Sequence, residues 1–113
     1  MPFEIRRADD VLTATLTPEA TPEDLAAIGA ETEARFADGV RHLILDAKQV
    51  EYAGSSFVGR LLALRKSLGD HGGHLVIVRP AGILTKVLDA LGLRELLRTA
   101  DSEDAAREIL RPS

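Results

Sequence analysis

Two adjacent hydroxyls, Ser55 and Ser56, sit in Glu51-Tyr52-Ala53-Gly54-Ser55-Ser56-Phe57-Val58-Gly59-Arg60, just after a short apolar run that ends at Asp46 and just before a segment of helical periodicity. The pair therefore falls where a helix begins. The first backbone N–H groups of a helix lack intrahelical acceptors, so a serine there can cap them. The same open donors and the positive end of the helix dipole also tolerate a phosphate. Local spacing leaves both readings of Ser55-Ser56 open: a structural cap, or a hydroxyl presented for modification.

Other chemistry finds little to work with. The chain has no cysteine, which removes disulfides, thiol chemistry and zinc-thiolate sites. His42, His71 and His74 fall on a strand and a turn without an i, i+4 pair, and only His71 and His74, flanking Gly72-Gly73, could approach a common metal. Gly54-Ser55-Ser56-Phe57-Val58-Gly59 does not have the Gly-x-Ser-x-Gly spacing of a hydrolase elbow. The glycines of Gly69-Asp70-His71-Gly72-Gly73 precede a strand, whereas a phosphate loop precedes a helix. The expectation is a protein without enzymatic activity, cofactor or metal.

The elements that must position the serines are legible in order. Phe3-Glu4-Ile5 and Val11 to Leu16 read as strands, joined by a hairpin turn at Ala8-Asp9-Asp10. Thr21-Pro22-Glu23-Asp24 opens a helix, with a capping threonine, proline in the first turn and acids at the positive end. Leu25, Ile28, Thr32 and Phe36 share its inner face until Asp38-Gly39 ends it. Arg41 to Asp46 reads as a buried central strand. From Ser55 to Leu68 a stripe of Phe57, Leu61, Leu64 and Leu68, widened by Val58 and Leu62, predicts the second helix. Gly69 to Gly73 reads as a flexible turn, and His74 to Val78 as a strand. A third helix runs from about Ala81 to Leu91, with Leu84, Val87, Leu88 and Leu91 inward, and stops at Gly92. A short strand over Leu96-Leu97-Arg98-Thr99 and a final helix capped by Asp101 or Ser102, with Ala105, Ala106, Ile109 and Leu110 inward, complete the chain. Strands alternating with helices predict an α/β fold with a parallel or mixed sheet.

The 113 residues suit one domain, and an apolar fraction of 45% supplies a core. That core is aliphatic, since there are three Phe, one Tyr and no Trp. A net charge of −4 argues against direct nucleic-acid binding. No apolar run approaches the roughly 18 residues of a membrane span, and the start of the chain lacks a signal-peptide pattern, so a cytoplasmic protein without membrane insertion is expected.

The motifs resemble the STAS domain of the anti-sigma factor antagonist family. That family's core is an apolar strand ending in Asp, a short linker, then Asp-Ser-Ser/Thr-Gly-Leu-Gly opening a helix. Here it reads Leu43-Ile44-Leu45-Asp46, then Val50 and Tyr52, then Gly54-Ser55-Ser56-Phe57-Val58-Gly59. A later family pattern, Leu-x-x-Leu-Gly-Leu-x-x-Leu, is present as Leu88 to Leu96, and the strand from Gly73 to Val78 also fits. The chain departs from the family at Gly54, where Asp is usual, and at Phe57, where Gly is usual.

The resemblance implies a single STAS-like domain over residues 1–113, with a four- or five-stranded mixed sheet and helices mainly on one face. It also implies a phosphorylation-controlled binding module whose partner is a serine kinase that serves as an anti-sigma factor. Ser56 is the residue it marks for phosphate, with Ser55 second. Gly54, Ser55, Phe57, Val58 and Arg60 are the partner-binding candidates. Phe57 reads either as an apolar anchor for a partner or as the first core residue of its helix. Arg60, Arg65 and Lys66 either meet an acidic partner or form a solvated helix face. Two rival functions belong to the same fold: a non-switching scaffold subunit of a signalling assembly, and an accessory subunit docking a lipid-transport ATPase.

Overall fold

A computed structural model describes residues 3–80 and 82–111. Strands β1 (Phe3–Ala8) and β2 (Val11–Leu16) form a hairpin whose two-residue turn places Asp9 at φ 57°, a left-handed conformation that aspartate tolerates. Helix α1 (Pro22–Ala34) begins at a reciprocal cap, in which Asp24 N donates to Thr21 Oγ1 (3.2 Å) and Thr21 N donates to Asp24 Oδ2 (2.8 Å). The helix ends earlier than its apolar spacing predicts. Phe36 to Asp38 form a separate 3₁₀ turn, closed by Gly39 at φ 95°. The chain then runs through β3 (His42–Asp46), α2 (Ser55–Asp70), β4 (Leu75–Val78), α3 (Gly82–Ala90), β5 (Arg98–Ala100) and α4 (Glu103–Leu110). The residue read as the start of the third helix, Ala81, lies outside the described residues.

The strands form one five-stranded mixed sheet in the order β1-β2-β3-β4-β5. Only β1–β2 is antiparallel; β2, β3, β4 and β5 run parallel, each joined to the next through a helix. Period-two alternation sends Leu12, Ala14, Leu16, Leu43, Leu45, Leu75 and Ile77 to one face, where they meet Leu25, Ile28, Phe57, Leu61, Leu64, Leu68, Leu84 and Leu88 from α1, α2 and α3. Gly29 lets α2 approach α1 closely, because a methyl there would sit 3.1 Å from Leu64 Cδ2. The opposite face, Val11, Ile44, Val76 and Val78, is covered by α4 through Ala106 and Leu110. Helix α4 is tied to the edge strand by Arg6 Nη2 donating to Glu103 Oε1 at 2.8 Å. That bond, aided by Arg107 and opposed by partial burial, holds the Glu103 carboxyl below its ordinary range.

Two expected inward residues differ: Leu91 is exposed, and Ile109 lies at the solvent edge of α4. Leu96, expected within the last strand, is exposed in the turn before it. Helix α3 ends at Ala90, so Leu91 falls in the turn before Gly92 (φ 69°) and leaves the helical stripe. Strand β5 starts at Arg98, two residues later than predicted, and Leu97 just before it is buried.

Candidate functional site

Asp46 closes β3, and the next eight residues lead to α2. Its carboxylate accepts from Lys48 N (3.2 Å) and lies 3.7 Å from Arg79 Nη2, so it shapes the exit from the strand. Glu51 N reaches Pro18 O at 3.5 Å, which sets this loop beside the one joining β2 to α1. The N-cap of α2 is Gly54, in extended backbone, and it brings no side-chain acceptor to the helix. Val58 N donates to Gly54 O at 3.1 Å and closes the first turn. Ser55 and Ser56 are therefore the first two helical residues, and the reading of either as the cap is corrected. By contrast, α1 and α4 are capped by Thr21 and Ser102 side chains.

Both serines are exposed. The N–H groups of Ser55, Ser56 and Phe57 precede the first intrahelical bond, which leaves donors and a positive dipole end beside the two hydroxyls. Ser55 and Ser56 line a groove of about 470 Å³ whose far wall is Pro18, Glu19, Ala20 and Thr21, with Glu23 and Tyr52 at its rim. Two of its lining residues are carboxylates and none is a cation.

The predicted partner-binding residues divide. Gly54, Ser55 and Arg60 are accessible. Phe57, 2% exposed, and Val58 are packed in the core, which corrects their reading as surface contacts: Phe57 is the first core residue of its helix. Arg60 and Arg65 make no ion pair among the described residues, whereas Lys66 pairs with Asp70 one turn on (3.1 Å). Arg65 and Lys66 line a separate depression at the far end of α2. His71 and His74 do not converge: His71 stacks on Phe36 and His74 on His42. No metal-holding group of three acidic, His or Cys side chains occurs among the described residues.

Tyr52, which the motif comparison placed only in the linker before the serines, is 77% exposed and stands at the site. Its ring stands 3.7–4.0 Å from where a side chain at Gly54 would begin. A lone tyrosine in an otherwise small and polar linker is the available signal. A Gly54→Asp substitution fits this space and supplies the missing cap acceptor. Its expected gain is about 0.5 kcal/mol in denaturant unfolding, because glycine is itself a fair cap and the carboxylate adds a favourable dipole interaction.

Fold and site together define a small α/β domain that presents paired serines at the start of its second helix. A family model described as STAS domain matches residues 5–106, and the chain belongs to that family. Solved structures agree on the fold. TM1081 of Thermotoga maritima superposes with a TM-score of 0.83 at 22% identity, over 98% of this chain and 90% of that one. The Bacillus cell fate determinant SpoIIAA in its phosphorylated form gives 0.75 at 22% identity, over 96% and 99%. An anti-sigma factor antagonist from Mycobacterium paratuberculosis gives 0.77 at 22% identity, over 97% and 93%.

Proposed function

We propose that this chain is a phosphorylation-controlled binding module of the anti-sigma factor antagonist type. In its unmodified form it binds a serine kinase that also serves as an anti-sigma factor, and phosphate on Ser56 releases that partner. It acts by binding, in the cytoplasm, without catalysis of its own. The observation that carries the reading is the exposure of Ser56 at a helix start whose backbone donors have no side-chain cap. A kinase can reach this hydroxyl without unfolding any element. The phosphate would bring roughly −1.5 to −2 charges to a groove that already contains Glu19 and Glu23. The free domain can solvate that charge, while a partner docked over the groove must desolvate it.

The kinase found by co-purification, incubated with this protein and ATP, should add a single phosphate seen by intact mass. Ser56→Ala should abolish it, and Ser55→Ala should leave it. Failure of any co-purifying kinase to modify Ser56, with the protein instead held in a stable assembly, would favour the scaffold subunit. Recovery of a transporter ATPase in place of a kinase would favour the lipid-transport reading.

A further inference from the structure

At the end of the sheet remote from Ser56, His42 opens β3 with its side chain only 10% exposed. Its ring stacks nearly parallel on His74, with centroids 5.6 Å apart and planes 6° apart. His74 N donates to His42 Nδ1 at 3.0 Å. Because the donor is a backbone N–H, Nδ1 is the unprotonated nitrogen of a neutral ring, and the ring proton sits on Nε2. Nε2 points toward Asp10, whose carboxylate lies 3.7 Å away. The contact with His74 stands beside the bond from Leu43 N to His74 O (3.1 Å), where β3 first joins the chain leading into β4.

We propose that protonation of His42 releases a latch between the start of β3 and the turn from α2 into β4, loosening that turn while the sheet persists. A proton added to Nδ1 sets a donor against the His74 N–H, so this hydrogen bond cannot survive with the ring in place. The turn then keeps its helix-end bonds, such as Gly73 N to Leu68 O, but loses its side-chain tie to β3. His74, Gly72 and Gly73 also line the depression of about 640 Å³ bearing Arg65 and Lys66, so the same event would alter that surface.

The charged groups acting on His42 are Asp10 from the hairpin, Arg41 beside it in the chain and His74 across from it. Burial is the largest influence and lowers its pKa; Asp10 raises it, and His74 and Arg41 lower it further. The neutral ring is thus favoured by folding. Its stabilising contribution is complete above the ordinary histidine range and is lost as pH falls through the lowered folded value.

The test is an NMR titration of the intact protein between about pH 8 and pH 5. Imidazole nitrogen shifts should show His42 with Nδ1 bare at the alkaline end. As His42 titrates, protection of the His74 amide, corrected for intrinsic exchange, should fall about tenfold or more while amides within β3 stay protected. In His42→Asn, whose amide oxygen can replace the Nδ1 acceptor but does not titrate, His74 protection should not change with pH. A protonated Nδ1 at the alkaline end, or His74 protection that ignores the His42 titration, would overturn the proposal. Both of those readings come from the unmodified protein, so neither depends on the variant folding.

Discussion

Gly73→Ala should cost more than about 4 kcal/mol and lower the urea midpoint sharply, since that is a large share of the about 5–15 kcal/mol by which domains of this size are stable. A methyl built on Gly73 runs into the carbonyl oxygen of Arg41 and lies 2.6 Å from its carbonyl carbon. Both atoms are backbone, so no side-chain rotation relieves the clash. Relief requires parting the lead into β4 from the lead into β3, beside the Leu43 N to His74 O bond that begins their ladder. The matched control is Gly69→Ala. It lies four residues earlier, inside α2, and its added methyl meets nothing within 4 Å. That substitution should raise stability by about 0.5–1 kcal/mol, through the better helix propensity of alanine. Far-UV circular dichroism and urea midpoints of the two variants check the pair. Similar midpoints would show that the strands can separate at Gly73 with little loss.

These two glycines also show where reading the sequence stopped. Gly69 to Gly73 reads as one flexible turn, yet Gly69 and Asp70 complete α2 and Gly73 is pressed against the backbone of Arg41, just before β3. Glycine serves conformational freedom and close approach alike, and only the fold distinguishes them. The start of α1 was legible because Thr21, Pro22 and Asp24 act within four residues of one another. The inner stripe of α2 was legible because Phe57, Leu61, Leu64 and Leu68 keep one helical period. At the site, the place of the paired serines was readable to within a residue, but their role in the helix was not. Serine is so common a cap that its hydroxyl hides the simpler solution, a glycine cap one residue earlier. The far wall, Pro18 to Thr21, comes from a loop more than thirty positions away, and no local pattern ties it to Ser56. Arg79 adopts φ 45° before Pro80 while its backbone N–H donates to Ala100 O, a strained conformation that depends on the neighbouring strand.

Phosphate on Ser56 should weaken the complex with the co-purifying kinase by about 100-fold or more, while free-domain stability changes by no more than about 1 kcal/mol. The two effects separate because they draw on different surroundings. In the free domain the phosphate remains in water and faces the open N–H groups at the start of α2, an arrangement that favours an anion. In the complex a partner seated on the groove would strip water from the phosphate beside Glu19 and Glu23, with no lining cation of this chain to offset it. A buried, uncompensated charge costs several kcal/mol, and about 2.7 kcal/mol already corresponds to a hundredfold in affinity. Ser56→Ala should bind within a few-fold of the unmodified protein, because the hydroxyl accepts no bond that the helix needs. Calorimetric titration of unmodified, phosphorylated and Ser56→Ala proteins reads the affinities, and urea unfolding of the same three reads their stabilities. Equal affinities for the phosphorylated and unmodified forms would show that partners dock elsewhere on the domain. Loss of stability and binding together would show that the phosphate acts by disrupting α2 and not by occupying the docking face.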